Sequence, residues 1–233
     1  MPKKLSKNPL PSSSSLSSVT TSSSTTTTAT AALALLPASL SDPALPLPKL
    51  VVFDLDYTLW PFWVDTHVTM PLKPNADHSA AVDRYGEDFA FYTDVPAILF
   101  ALPRAGVRMA VASRTPTPNI ARDMLKMVHI PPPPGDATAA KPEKARRAMD
   151  LFEGGIEAYP GSKLRHFEVI QKRTGVRYED MLFFDDEARN FETESLGVTM
   201  YLIRDGTSWS EIEEGVLKWR KRRGYIETPT NKT

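Results

Sequence analysis

The chain has 233 residues, 28 Lys and Arg against 28 Asp and Glu, no cysteine, and 41% hydrophobic residues. A domain of this size buries enough surface to fold without a disulfide or zinc staple, and the missing thiol excludes Cys-ligated metals, a thiol nucleophile and redox switching. Formal neutrality argues against general affinity for nucleic acid, and no run approaches the ~18 apolar residues that span a bilayer.

Residues 1–48 read as a disordered tail. From Pro11 to Thr30, 16 of 20 residues are Ser or Thr, and Asp42 is the only acid before Pro48. Such a tract has too little apolar surface to offset its ordering entropy. Pro37, Pro43, Pro46 and Pro48 break up the short apolar stretch that follows. The tail is Ser-rich and acid-poor, as mitochondrial presequences are, but it holds no Arg. It does not read as a secretory signal, so a cytoplasmic location is expected, with mitochondrion and nucleus as alternatives.

The ordered domain is expected over 49–225, with 226–233 as a C-terminal tail. Lys49–Phe53, Val107–Ala112, Met181–Phe184 and Val198–Ile203 are continuous apolar runs rich in β-branched and aromatic residues, as buried parallel strands are. Ile156–Tyr159 is a weaker strand. Helical patterns fill the gaps: Val95–Arg104, Thr117–Val128, Ser162–Thr174 stopped by Gly175, Glu187–Leu196 stopped by Gly197, and Ser208–Arg222 with Ser210 and Glu213 as a capping box. The alternation predicts an α/β fold, a parallel sheet with helices on both faces. Residues 130–155, with Pro131–Pro134 and a charged stretch, read as a surface insertion.

Ligands of open parallel sheets sit at the carboxyl ends of the strands. Here those ends carry Asp54, Ser113, and Asp185 with Asp186, while Lys163 opens a helix. Any one of these fits a helix cap or a solvated charge. Together they form a constellation: carboxylates converging on one edge repel unless a hard cation lies between them, and an oxygen-rich setting suits Mg²⁺ with a substrate phosphate. In Asp54-Leu-Asp56-Tyr-Thr58 the two-residue spacing puts both carboxylates on one side of an extended backbone.

Phe53-Asp-Leu-Asp-Tyr-Thr58, Ser113, Lys163 and Phe184-Asp-Asp186 resemble the motifs of the haloacid dehalogenase superfamily of phosphotransferases. The stretch Val52–His67, Ala112-Ser-Arg-Thr115, Tyr159-Pro-Gly-Ser-Lys163 with His166-Phe167, and Phe183-Phe-Asp-Asp-Glu187 are similar to the magnesium-dependent phosphatase 1 family within it. The resemblance covers about residues 49–222 and implies a Rossmann-like core. It implies a Mg²⁺-dependent hydrolysis of phosphate monoesters, with protein phosphotyrosine and sugar phosphates as substrate classes. Asp54 would be the nucleophile and Asp56 the general acid and base. Leu55, Trp63, Ser113, Arg114 and Lys163 would meet substrate. The metal would lie on Asp54, Asp56 and Asp185, with Asp186 ordering its surroundings; the adjacent pair is interchangeable on sequence grounds. His67 reads as structural, and Lys218–Arg223 as a helix C-terminus favoured by the dipole.

Fifty-eight residues separate Asp54 from Ser113. After the aromatic turn and the helix at Val95, this leaves room for a hairpin or loop but not for a cap domain with its own core. An open site is therefore expected, able to take a phosphorylated small molecule or phosphopeptide. The same scaffold also hosts other phosphotransferases, and a catalytically idle binding scaffold is the reading from a different class. Every catalytic position here, however, is filled by a competent residue.

Overall fold

The computed structural model describes residues 35–133 and 143–226. The Ser/Thr tract over 1–34, the insertion segment 134–142 and the C-terminal residues 227–233 lie outside the described residues.

Five strands form one parallel sheet: β1 (Leu50–Phe53), β5 (Arg108–Ser113), β8 (Ile156–Ala158), β9 (Met181–Asp185) and β10 (Thr199–Leu202). Their order is β10-β9-β1-β5-β8. The continuous apolar runs are explained by burial on both faces. Along β1, Val51 and Phe53 enter a core on one side, whereas Leu50 and Val52 enter a second core on the other. Along β9, Leu182 and Phe184 alternate with Met181 and Phe183 in the same way. Helices α2 (Val95–Arg104), α3 (Pro118–Met127) and α5 (Trp209–Arg222) cover the first face, and α4 (Lys163–Thr174) covers the second.

The helix ends follow local chemistry. Ser162 caps α4 by accepting from the Leu164 amide at 3.1 Å, and Gly175 ends it at φ 67°. For α5 the cap is Ser208, which accepts from the Glu211 amide at 3.3 Å, rather than the expected Ser210. The segment Ala188–Leu196 is helical but wound as a tighter 3-10 turn. Amides of Asn190 and Gly197 bond three residues back, to Glu187 and Glu194.

Between β1 and α2 the chain forms a single helical turn, α1 (Val64–His67), and a three-stranded antiparallel meander of β2 (Lys73–Pro74), β3 (Ala80–Val82) and β4 (Asp88–Ala90). This small sheet stands where a cap could have been inserted, and no large cap is present among the described residues.

Two expectations about boundaries are corrected. Residues 35–48 are not a detached tail: Leu36 and Leu40 are buried in the main core. Arg220 of α5 donates to the carbonyls of Ser39, Leu45 and Pro46 at 2.9, 3.3 and 3.0 Å. Prolines hide any periodicity in this strap, so its burial depends on a partner 174 to 181 residues away. Nor do residues 148–155 form a surface insertion, although residues 143–147 are exposed. His129–Ile130 (β6) pairs with Arg146–Arg147 (β7), and Ala148, Leu151 and Phe152 of the following 3-10 turn are buried. Three scattered apolar residues in a charged stretch give no sequence period, yet they fill the core beside α3.

Candidate active site

Strand register assembles the site. Phe53 lies level with Val111 on one neighbour and Phe184 on the other, so the chain positions just beyond, Asp54, Ala112 and Asp185, are level across three strands. The Asp54 amide donates to the Phe184 carbonyl at 2.9 Å. Lys163, the first residue of α4 and only 1% exposed, crosses the top of these strands. Its Nζ lies 2.6 Å from Asp54 Oδ1, 2.9 Å from Asp185 Oδ2 and 2.5 Å from the Ala112 carbonyl. All three ammonium protons therefore have acceptors.

A cleft of about 180 Å³ opens above this lattice. Asp54, Asp56, Trp63, Ser113, Arg114, Lys163 and Asp186 line it, as do Asp65, Thr115, Pro116, Glu187 and Arg189. The structure thus brings together most of the residues singled out from sequence. Leu55 is an exception: its side chain is buried in the core, so only its backbone can face the cleft. Asp185 is the other exception. It is fully buried, holding Lys163, the Glu187 amide at 2.8 Å and Asn190 Nδ2 at 2.8 and 2.9 Å through its two oxygens. Asp186 is the member of the pair that borders the cleft, with Thr58 Oγ1 at a long 3.5 Å. A strand alternates its side chains, so the last residue of β9 points inward and the next one out.

Asp56 is anchored on one oxygen only. Oδ1 accepts from Trp60 Nε1 at 2.7 Å and from the Val64 amide at 3.3 Å. The turn that delivers it, Asp54 to Trp60, folds back on the Leu55 carbonyl, which accepts from the amides of Thr58, Leu59 and Trp60. Tyr57 sits in that turn at φ 52°.

Negative charge exceeds positive charge here. Burial pushes the Asp54 carboxyl up to about 8; Lys163 works against this shift, while Asp185 and Asp56 add to it. Burial also lifts Asp56 to about 6, against its bonds from Trp60 and Val64. Asp186 rises to about 6 through burial and the adjacent Asp185. Burial disfavours charge on Lys163, but the Asp54 and Asp185 carboxylates outweigh it and hold the ammonium protonated.

Ser113 Oγ accepts from the Thr115 amide at 3.3 Å, leaving its own proton to give. Arg114 is held by neutral acceptors, Nε on the Gly161 carbonyl at 2.8 Å and Nη1 on Asn190 Oδ1 at 3.2 Å, so its charge remains unpaired by these contacts. His166, one turn along α4 from Lys163, bonds through Nε2 to the Tyr159 carbonyl at 3.0 Å and ties down the approach to the helix. Burial pushes His166 down to about 4. Trp63 is 51% exposed and stands at the cleft, not in the core.

Sequence reasoning missed Asp65, Thr115, Glu187 and Arg189 as lining residues, and Asn190 as the link between Asp185 and Arg114. Asp65, Thr115 and Glu187 lie within the motifs that carry the family resemblance, whereas Arg189 and Asn190 are marked only by proximity to a strand end. Arg189 pairs with Glu187 through two contacts of 2.6 and 2.7 Å.

Comparison with known proteins places the chain among phosphatases. The family described as Acid Phosphatase matches residues 46–222. A HAD-like hydrolase superfamily protein of Schizosaccharomyces pombe is 46% identical over 153 residues, covering 65% of this chain and 83% of the relative. Magnesium-dependent phosphatase 1 of Homo sapiens is 40% identical over 178 residues, covering 75% of this chain and 89% of the relative. A putative magnesium-dependent phosphatase of Saccharomyces cerevisiae is 32% identical over 174 residues, covering 72% and 94%.

Proposed function

Because the chain belongs to the acid phosphatase family of the haloacid dehalogenase superfamily and is a phosphatase of that type, we propose that its cleft hydrolyses phosphate monoesters with Mg²⁺ through an aspartyl-phosphate on Asp54. The observation that carries this reading is the Asp54 carboxylate held at 2.6 Å by a buried lysine, with a second carboxyl of different environment, Asp56, on the same cleft. Two acids whose surroundings differ can divide nucleophilic and proton-transfer work.

The Asp54 carboxylate attacks phosphorus, and the bond from phosphorus to the leaving oxygen breaks. Asp56 gives that oxygen a proton. Asp56 then takes a proton from a water that attacks the acyl phosphate, which releases inorganic phosphate and restores Asp54. A carboxyl lifted to about 6 suits both duties near neutral pH. Ser113 donates to a phosphate oxygen, and Lys163 offsets charge on the transferring group. Arg114 supplies a further cationic contact at the rim.

The residues fit a divalent cation. Asp54, Asp56 and Asp186 line one cleft, each with raised proton affinity, while the buried ammonium of Lys163 is bonded to Asp54 and Asp185; the cleft carboxyls leave room for a further positive charge. Among the described residues no three acidic or imidazole side chains form a cation site by themselves. Mg²⁺ does not require three, since it commonly takes one or two carboxylates and completes its shell with waters and phosphate. Asp54, the Asp56 backbone carbonyl and Asp186 would hold it, and Asp186 replaces the expected Asp185 because Asp185 is already consumed by Lys163 and Asn190. When bound, the ion supplies the positive charge that favours ionised Asp54 and offsets its repulsion from phosphate.

Phosphotyrosine and sugar phosphates are the proposed substrate classes. Support comes from the open cleft and from an exposed tryptophan at its side. Hydrolysis of p-nitrophenyl phosphate, measured with Mg²⁺ and then with EDTA, tests the reading. Turnover that EDTA abolishes is expected; its absence under both conditions would favour the idle scaffold.

A further inference from the structure

We propose that His67 is the positioning residue that sets Trp63 against the cleft, and that selection for a flat leaving group runs through this contact. The inference rests on the reading of the cleft as a phosphate-ester site. Trp63 is the N-terminal flank of α1, a helix of four residues, and has extended backbone at φ −86° and ψ 121°. A half-exposed indole on so short a turn has little to hold it, since isolated turns of this length do not persist.

His67 closes the turn from its far end. Its Nδ1 accepts from the Trp63 amide at 3.0 Å, and its own amide donates to the Trp63 carbonyl at 3.0 Å. Both backbone groups of Trp63 are thus bound by one residue. The imidazole also lies parallel to the indole, with centroids 5.7 Å apart and planes 5° apart. Tyr57 meets the same indole edge-on at 5.0 Å and 72°. Because Nδ1 is an acceptor here, the ring proton belongs on Nε2. The turn between Trp63 and His67 also supplies the Val64 amide to Asp56, so it supports the proposed acid as well as the indole.

A planar aryl group leaving from phosphate would stack on a fixed indole, whereas a small alkyl group would not reach it. The binding of two unreactive probes, phenylphosphonate and methylphosphonate, measured by calorimetry with Mg²⁺ present, reads this without turnover. The native protein should bind the phenyl probe more tightly. His67→Ala should cut that preference roughly two- to tenfold, the range of one aromatic contact, while methylphosphonate binding holds. Trp63→Ala should cut it equally, and the double variant should add nothing further. His67→Asn, which keeps an acceptor but no ring, should retain part of the preference and shows that a folded variant reports the same trend. An unchanged phenyl-to-methyl ratio in His67→Ala overturns the inference, as does an equal loss for both probes, which would make His67 a support of the cleft in general. Failure of the native protein to bind either probe sinks the reading of the cleft itself.

Discussion

Lys163 shows how far one side chain can be committed. Its ammonium satisfies Asp54, Asp185 and the Ala112 carbonyl at once, so its removal would strand two buried carboxylates. Lys163→Met should lower turnover by about 10²–10³-fold, the usual cost of a lost electrostatic contact in the transition state. It should also cost about 3–5 kcal/mol of stability, since one partner of a buried pair is gone. Denaturant titration beside the rate assay separates the two effects. Asp54 and Asp56 should fail differently. Under the proposed mechanism, Asp54→Asn should form no phosphoenzyme. Asp56→Asn would keep the proposed nucleophile and lose the proposed base for the second step. With p-nitrophenyl phosphate it should release a burst and stall with one phosphoryl group on Asp54, visible by intact mass after acid quench. Phosphate appearing on Asp54→Asn instead would reverse the two roles.

Asp186 makes a pH prediction with a definite sign. Its folded-state affinity for protons is raised to about 6 from an ordinary 3.8. A raised carboxyl stabilises the fold fully below about 4, and that contribution is lost as pH rises through about 6. In EDTA, Asp186→Asn should therefore melt near the native temperature at pH 4 and above it at pH 8, because Asn never ionises. The same variant should lose the rise in melting temperature that Mg²⁺ gives the native protein through preferential binding to the folded state. Asp185→Asn should behave oppositely, melting low throughout, since it breaks the bonds to Lys163 and Asn190. If Asp185→Asn alone abolishes the Mg²⁺ response, Asp185 is the ligand.

At the scale of elements, four of the five parallel strands were legible because each is dominated by an apolar run, and a strand buried on both faces needs little else; β8, interrupted by Glu157, read more weakly. The helix boundaries at Ser162 and Gly175 were legible because capping is local chemistry. The strap over 35–48 was not, because prolines interrupt it and the Arg220 side chain that binds its carbonyls lies in α5. Arg220 binds the strap through three carbonyls while being almost fully buried. Arg220→Ala should cost about 3 kcal/mol, given the strength of hydrogen bonds from a charged donor and the carbonyls left behind. Turnover per folded molecule should hold, since Arg220 lies on the α5 side, remote in sequence and contact from the cleft. A midpoint unchanged in urea would show that the strap is held by its leucines alone.

For the molecule as a whole, the small meander at β2–β4 gives the cleft no large cap among the described residues. A bulky leaving group therefore meets no wall formed by a second domain. The specificity constant should not fall when the leaving group grows from nitrophenol to a tyrosine-phosphorylated peptide; a steep fall with peptide length would reveal a barrier at the mouth. The sequence by itself determined the parallel sheet, most of the helices and most of the residues that gather at the strand ends, because apolar runs, caps and the Asp54-x-Asp56 spacing are all short-range. Tertiary structure decided what depends on distant partners. It made Asp186 rather than Asp185 face the cleft, since the inward residue at the end of β9 is used up by Lys163 and Asn190. It placed Trp63 at the cleft on a histidine clasp. It also drew Leu36, Leu40, Ala148, Leu151 and Phe152 into the core, because burial is settled by which surfaces meet, and that is not written in the local pattern of the chain.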